Sequence, residues 1–141
     1  VLEFNARFGD PETQPILMRL RGDLVPALLA AARGDLSSVG LEVDPRAAVG
    51  VVLAAEGYPG KVATGDAIEG AEGPFPEDVQ VFQAGTARGP DGRLVTAGGR
   101  VLTVCALGRD LADAAARAYD AAGRIRFRGC QYRRDIARGR A

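Results

Sequence analysis

An α+β fold, with helices first and then a mostly antiparallel sheet carrying one covering helix, follows from three features of the sequence. Apolar residues recur at helical spacing between positions 12 and 33. Apolar runs of strand length, separated by Gly and Pro, fill positions 47–107. A capped, alanine-rich helix follows at 110–122. The chain has 141 residues, 47% of them hydrophobic and 26% charged, with a formal net charge of zero. That composition suits one ordinary soluble domain with a real core.

The first element is an alternation. Glu3, Asn5 and Arg7 interleave with Leu2, Phe4, Ala6 and Phe8, then run into Gly9, Asp10 and Pro11. Read as a strand, the pattern places a carboxylate, an amide oxygen and a guanidinium on one face. Residues i and i+2 of a strand lie roughly 6.5 Å apart, so Glu3 and Asn5 can hold a magnesium ion between them while Arg7 reaches a neighbouring phosphate. A lone strand needs partner strands, and the chain begins inside this pattern without an initiator Met. It is therefore expected to be a piece of a longer protein.

Asp10 is placed to cap a helix over residues 11–21 and Gly34 to end a second over 23–33, with Gly22 and Pro26 separating them. Residues 36–43 are mixed. Residues 47–55 read as a buried strand stopped by the turn at 56–60. Short strands are expected at 67–68, 79–84 and 94–97, with a hairpin signal at Asp91 and Gly92, and a longer strand at 100–107. Asp110 starts the last helix and Gly123 ends it. An edge strand at 125–127 and a polar tail at 132–140 complete the chain.

Composition narrows the chemistry. Histidine is absent, so any catalysis must use carboxylates, arginines, backbone amides or a metal ion. Cys105 and Cys130 have no partners at metal-ligand spacing and read as inert thiols. No apolar run approaches the roughly 18 residues of a membrane span, and balanced charge offers nucleic acid no global attraction. No membrane and no nucleic-acid partner is expected, and the default location is cytoplasmic. The arginines at 124, 126, 128, 133, 134, 138 and 140 form the only basic run. They are expected to face solvent or to pair with acidic groups, Asp135 among them or others outside this chain.

Several motifs together resemble one family. VLEFNARFGDPETQ looks like the last catalytic strand and following loop of an ATP-grasp ligase, and its GDPETQ portion resembles the phosphoribosylamine glycine ligases, or glycinamide ribonucleotide synthetases. VVLAAEGYPG from Val51, VFQAGT from Val81, TAGGRVLTVCALG from Thr96 and YRRDI from Tyr132 resemble that family's carboxy-terminal domain in the same order. The resemblance implies two parts: residues 1–44 as the end of an ATP-grasp catalytic domain, and 45–141 as the carboxy-terminal ligase domain. It also implies an ATP-dependent carbon-nitrogen ligase of purine biosynthesis that joins glycine to 5-phosphoribosylamine through a glycyl phosphate, with ATP as co-substrate and Mg²⁺ or Mn²⁺ as cofactor.

Glu3 and Asn5 would then be the metal ligands, and Arg7 would stabilise charge on the ATP phosphate or the acyl phosphate. Asp10 would hold the substrate amine and accept its proton. Gly85 and Thr86, with Gly98, Gly99 and Arg100, would form the sugar-phosphate site, since glycines let backbone amides approach an anion and an arginine grips two oxygens. Thr86 stands where related formyl-transferring ligases are expected to carry lysine. The adenine, lysine, lid and glycine sites would lie in an amino-terminal part outside this chain, which alone should not turn over. Two other readings stand beside this one. They are a different ATP-grasp carboxylate-amine ligase, and a non-catalytic interaction domain that keeps the fold.

Overall fold

The computed structural model describes residues 1–138. In chain order the elements are α1 (Thr13–Arg19), β1 (Leu20–Arg21), α2 (Val25–Arg33), β2 (Glu42–Val43), β3 (Ala47–Ala54), β4 (Val79–Gln83), β5 (Thr86–Arg88), β6 (Leu94–Thr96), β7 (Arg100–Gly108) and α3 (Leu111–Ala122). The expected α+β class, antiparallel sheet and covering helix are all present.

The centre is a three-stranded antiparallel sheet in the order β3-β7-β4. Strand β7 lies in the middle and is buried from Val101 to Gly108, which explains why its sequence is apolar on both faces rather than alternating. On one face, Val49, Val51, Leu53, Leu102, Val104 and Ala106 meet the alanines of α3, with Ala114, Ala118 and Ala122 wholly buried. Small side chains let the helix lie close to the sheet. Gly108 is required where they cross, since a Cβ there would stand 2.2 Å from the Ala114 nitrogen. Asp110 caps α3 by accepting the Asp113 N–H at 2.8 Å.

The opposite face is covered by α1. Gly50 pairs with Cys105 across the sheet, and a Cβ at Gly50 would lie 3.2 Å from the Cys105 sulfur and 3.6 Å from Pro15 of α1. Burial pushes the Cys105 thiol up to about 12, as expected for an inert thiol. Strands β5 and β6 form the hairpin signalled by Asp91 and Gly92, with Gly92 at positive φ. Thr96 anchors it by accepting the Asp66 N–H at 3.1 Å.

A chain of ion pairs joins the first 44 residues to the sheet. Asp44, buried, accepts from Arg21 at 2.9 Å and Arg46 at 2.8 Å, while Arg19 donates twice to the Asp44 carbonyl at 3.0 Å. Arg46 continues to Asp78 at 2.5 Å, and Arg117 bridges Asp78 to Asp113. The Arg46 side chain and amide, and then Arg21, hold the Asp44 carboxyl well below the usual carboxylate range.

Several expectations require correction. Residues 1–8 form no strand: Leu2 and Phe4 are fully exposed, and no neighbouring strand satisfies their backbone groups. Asp10 does not cap α1. Glu12 holds the cap position without a side-chain bond, and the Asp10 carboxylate instead accepts from Gln14 at 2.9 Å. The first helix stops at Arg19 because Leu20 and Arg21 leave it to pair with Val43 and Glu42. Residues 125–127 make one antiparallel bridge, Glu69 with Arg126, rather than a strand. In the basic run the expected pairing holds among the described residues: Arg133 meets Asp135, and Arg124 and Arg128 meet Asp120 and Asp66, whereas Arg140 lies outside the described residues.

Candidate functional site

The strongest juxtaposition joins residues ninety positions apart. Arg100 opens β7 at one end of the central strand, and its guanidinium donates to the Asp10 carbonyl at 2.8 Å and stands 3.4 Å from the Asp10 carboxylate. Both side chains are about two-fifths exposed, at 41% and 42%, so the pair is accessible to an incoming anion and is not a buried structural bridge.

Two close backbone approaches hold Arg100 in place. A Cβ on Gly85 would stand 2.7 Å from the Arg100 carbonyl and 2.7 Å from the Gly98 Cα, so only glycine permits this crossing. The Gly85 N–H donates to the Arg100 carbonyl at 2.8 Å, and its carbonyl accepts from Ala97 at 2.7 Å. Gly85 is therefore structural. The amides of Gly98 and Gly99 donate to no backbone carbonyl among the described residues and are the ones left for an anion. Thr86 follows Gly85 directly, and its hydroxyl donates to Gln83 at 3.1 Å.

Arg100 lines a cleft of about 430 Å³ with Tyr58, Gln131, Tyr132 and Arg133, over a floor of Val52 and Ala54. Two guanidiniums above an apolar floor suit an anionic group carried on a compact sugar-sized body. Tyr58 packs on Gly99, where a Cβ would lie 2.5 Å from the ring. Tyr132 sits between Tyr119, at a ring-centroid separation of 6.3 Å, and the Arg134 guanidinium, 5.6 Å from its centroid. The Tyr119 hydroxyl donates to the Arg133 carbonyl at 3.0 Å and accepts the Ile136 N–H at 2.9 Å, fixing the segment that carries Arg133.

Tyr58, Gln131, Tyr132 and Arg133 are absent from the sequence-derived site. Tyr58 reads from sequence as part of a turn and Arg133 as one arginine of a basic run. The available signal is two tyrosines and an arginine, Tyr58, Tyr132 and Arg133, inside two of the motifs that carry the family resemblance.

The other half of the expected site is less assembled. Asn5 and Arg7 line a hollow of about 240 Å³ with Gly9 and Glu12, and the Arg7 guanidinium donates to the Phe8 carbonyl at 3.3 Å. Glu3 is exposed. No cluster of three or more His, Cys, Asp or Glu placed to hold a metal occurs among the described residues. A carboxylate and an amide oxygen still fit magnesium, which takes hard oxygen donors and completes its shell with water and phosphate oxygens.

Comparison with known proteins places these features in context. The model of the phosphoribosylglycinamide synthetase C domain matches residues 48–139. The phosphoribosylamine–glycine ligase of Caulobacter vibrioides is 52% identical over 141 residues, covering 96% of this chain and 32% of that protein. The Escherichia coli O157:H7 ligase of the same name is 52% identical over 136 residues with the same coverage. A crystal structure of the phosphoribosylamine–glycine ligase from Thermotoga maritima superposes with a TM-score of 0.78 at 41% identity, covering 96% of this chain and 32% of that one. The chain thus spans about a third of the length of the curated relatives it matches.

Proposed function

The chain belongs to the phosphoribosylglycinamide synthetase C-domain family, and on that premise we propose that it forms the carboxy-terminal portion of a phosphoribosylamine–glycine ligase and supplies the acceptor side of its active site. The observation that carries this reading is the Asp10–Arg100 contact, whose arginine lines a cleft together with Arg133. It brings a carboxylate suited to an amine beside a guanidinium suited to a phosphate, the two ends of 5-phosphoribosylamine.

In this reading residues 1–44 finish an ATP-grasp catalytic domain and 45–141 form the carboxy-terminal ligase domain. Glycine's carboxylate attacks the terminal phosphoryl group of ATP, giving glycyl phosphate and ADP. The ribosylamine nitrogen then attacks the glycyl carbonyl, phosphate leaves, and the nitrogen loses a proton. Arg100, with the Gly98 and Gly99 amides and Thr86, grips the 5-phosphate. Asp10 orients the amine and accepts its proton, and Arg7 neutralises charge on the transferred phosphoryl group. Glu3 and Asn5 would hold Mg²⁺ or Mn²⁺, which when bound neutralises charge on the ATP phosphates. The reaction is one of purine biosynthesis and is placed in the cytoplasm. Among the described residues, no helix is long and apolar enough to cross a membrane.

Leu28, Leu29, Leu36 and Leu41, on and after α2, are exposed. We assign this apolar surface to contact with the amino-terminal part of the ligase. The test is steady-state kinetics of the ligase carrying this chain. Arg100→Ala should raise the KM for phosphoribosylamine on the order of tenfold or more, as for loss of a charged hydrogen-bonding group, with the KM for ATP little changed. A rise for ATP alone would refute the phosphate role.

A further inference from the structure

We propose that Gln131 is a positioning residue for the Arg100 cleft, acting through the 55–58 turn and Tyr58; the proposal rests on the reading of that cleft as the acceptor-phosphate site. Gln131 is exposed, yet its side-chain amide donates to two main-chain carbonyls far away in sequence, Ala55 at 3.1 Å and Tyr58 at 3.2 Å. An amide nitrogen has two hydrogens, so both donors are engaged by one turn. The carbonyls they hold lie on either side of the bend that presents Tyr58.

That turn is tied to the anion-binding loop in two ways. The Ala55 N–H donates to the Gly99 carbonyl at 2.8 Å, fixing the peptide that leads into Arg100. The Tyr58 ring fills the space where Gly99 lacks a side chain. Moving the turn therefore moves both a wall of the cleft and the residue before its guanidinium. Tyr58, Arg100 and Gln131 line the same cavity, so these contacts converge on one place.

The fold does not depend on this side chain. The backbone of Gln131 pairs with Ala54 in both directions, at 2.8 and 3.0 Å, and that bridge survives truncation. Removing an exposed side chain opens no core cavity. The free amide gains its order from the turn, and the turn gains its position from the amide.

The experiment measures KM for each of the three substrates, and kcat, in the ligase carrying this chain. The variants are Gln131→Ala, Tyr58→Ala, the double variant and Arg100→Ala. Gln131→Ala should raise the KM for phosphoribosylamine by about fivefold, below the roughly thirtyfold that two neutral hydrogen bonds would be worth if made to the substrate itself, with kcat and the KM values for ATP and glycine within about twofold. The double variant should fall well short of the product of the two single effects, because both act through one turn. An unchanged KM for phosphoribosylamine in Gln131→Ala, a parallel rise for all three substrates, or effects that multiply in the double variant would overturn the proposal. Arg100→Ala separates the two levels. If it raises the phosphoribosylamine KM while Gln131→Ala does not, the positioning role alone fails. If Arg100→Ala is silent as well, the reading of the cleft fails.

Discussion

Arg100 is useful because of its shape as well as its charge. A guanidinium offers a planar fork that meets two phosphate oxygens at once, whereas lysine offers a compact point charge on a flexible stem. Arg100→Lys should therefore retain only part of the affinity for phosphoribosylamine, falling between the parent and Arg100→Ala in the same kinetic assay; parent-like behaviour would mean that charge alone suffices. Within the core, Leu53 is fully buried against α3, and Leu53→Ala should cost about 2–5 kcal/mol in denaturant unfolding. Asp10, Thr86, Gly98, Gly99 and Arg100 could be named from the sequence because each lies in a motif that carries the family resemblance, and the structure brings two of them, Asp10 and Arg100, into contact. Tyr58 and Gln131 could not be named, since their part depends on a contact between segments more than seventy residues apart. The expectation that Asp10 caps a helix failed for a related reason. Its carboxylate found Gln14 and Arg100, partners that helix grammar does not weigh.

Among the elements, β3, β4, β6, β7 and α3 lie close to where hydrophobic pattern, turn residues and capping place them. The first eight residues show the limit of such patterns. Alternation specifies which way side chains would face, but a strand exists only when another strand accepts its hydrogen bonds. The ion-pair chain from Arg21 through Asp44, Arg46, Asp78, Arg117 and Asp113 to Arg109 was equally hidden, because it links β1 to α3 through the connections before β3 and β4, by side chains that sequence shows only as scattered charges. It makes a pH prediction. The Arg109 backbone N–H, and then Arg117, lower the Asp113 carboxyl from 3.8 to about 2, and Arg46 lowers Asp44 in the same direction. A depressed carboxylate contributes stability that is fully present above its unfolded value and is lost as pH falls through its folded value. Stability should therefore decline below about pH 3.8 toward pH 2, and Asp113→Asn should flatten that decline in acid titrations followed by circular dichroism. An unchanged acid limb would count against the network.

At the scale of the whole molecule, the chain is a sheet with a helix on each face, and the end of its central strand holds Arg100 against Asp10, the contact proposed as half of an acceptor site. Its other apolar surface, on and after α2, is proposed to meet the rest of the ligase. Backbone amides of α2 should accordingly exchange hydrogen more slowly in the full ligase than in this chain alone, and equal exchange would contradict that contact. The central claim is that Arg100 holds the acceptor's phosphate while Asp10 faces its amine. The most direct measurement is a crystal structure of the ligase carrying this chain with its product, glycinamide ribonucleotide, bound. The account predicts a phosphate oxygen within about 3 Å of the Arg100 guanidinium, with the Asp10–Arg100 contact opened to admit the sugar between them. A phosphate bound elsewhere, with Arg100 still resting on Asp10, would contradict it.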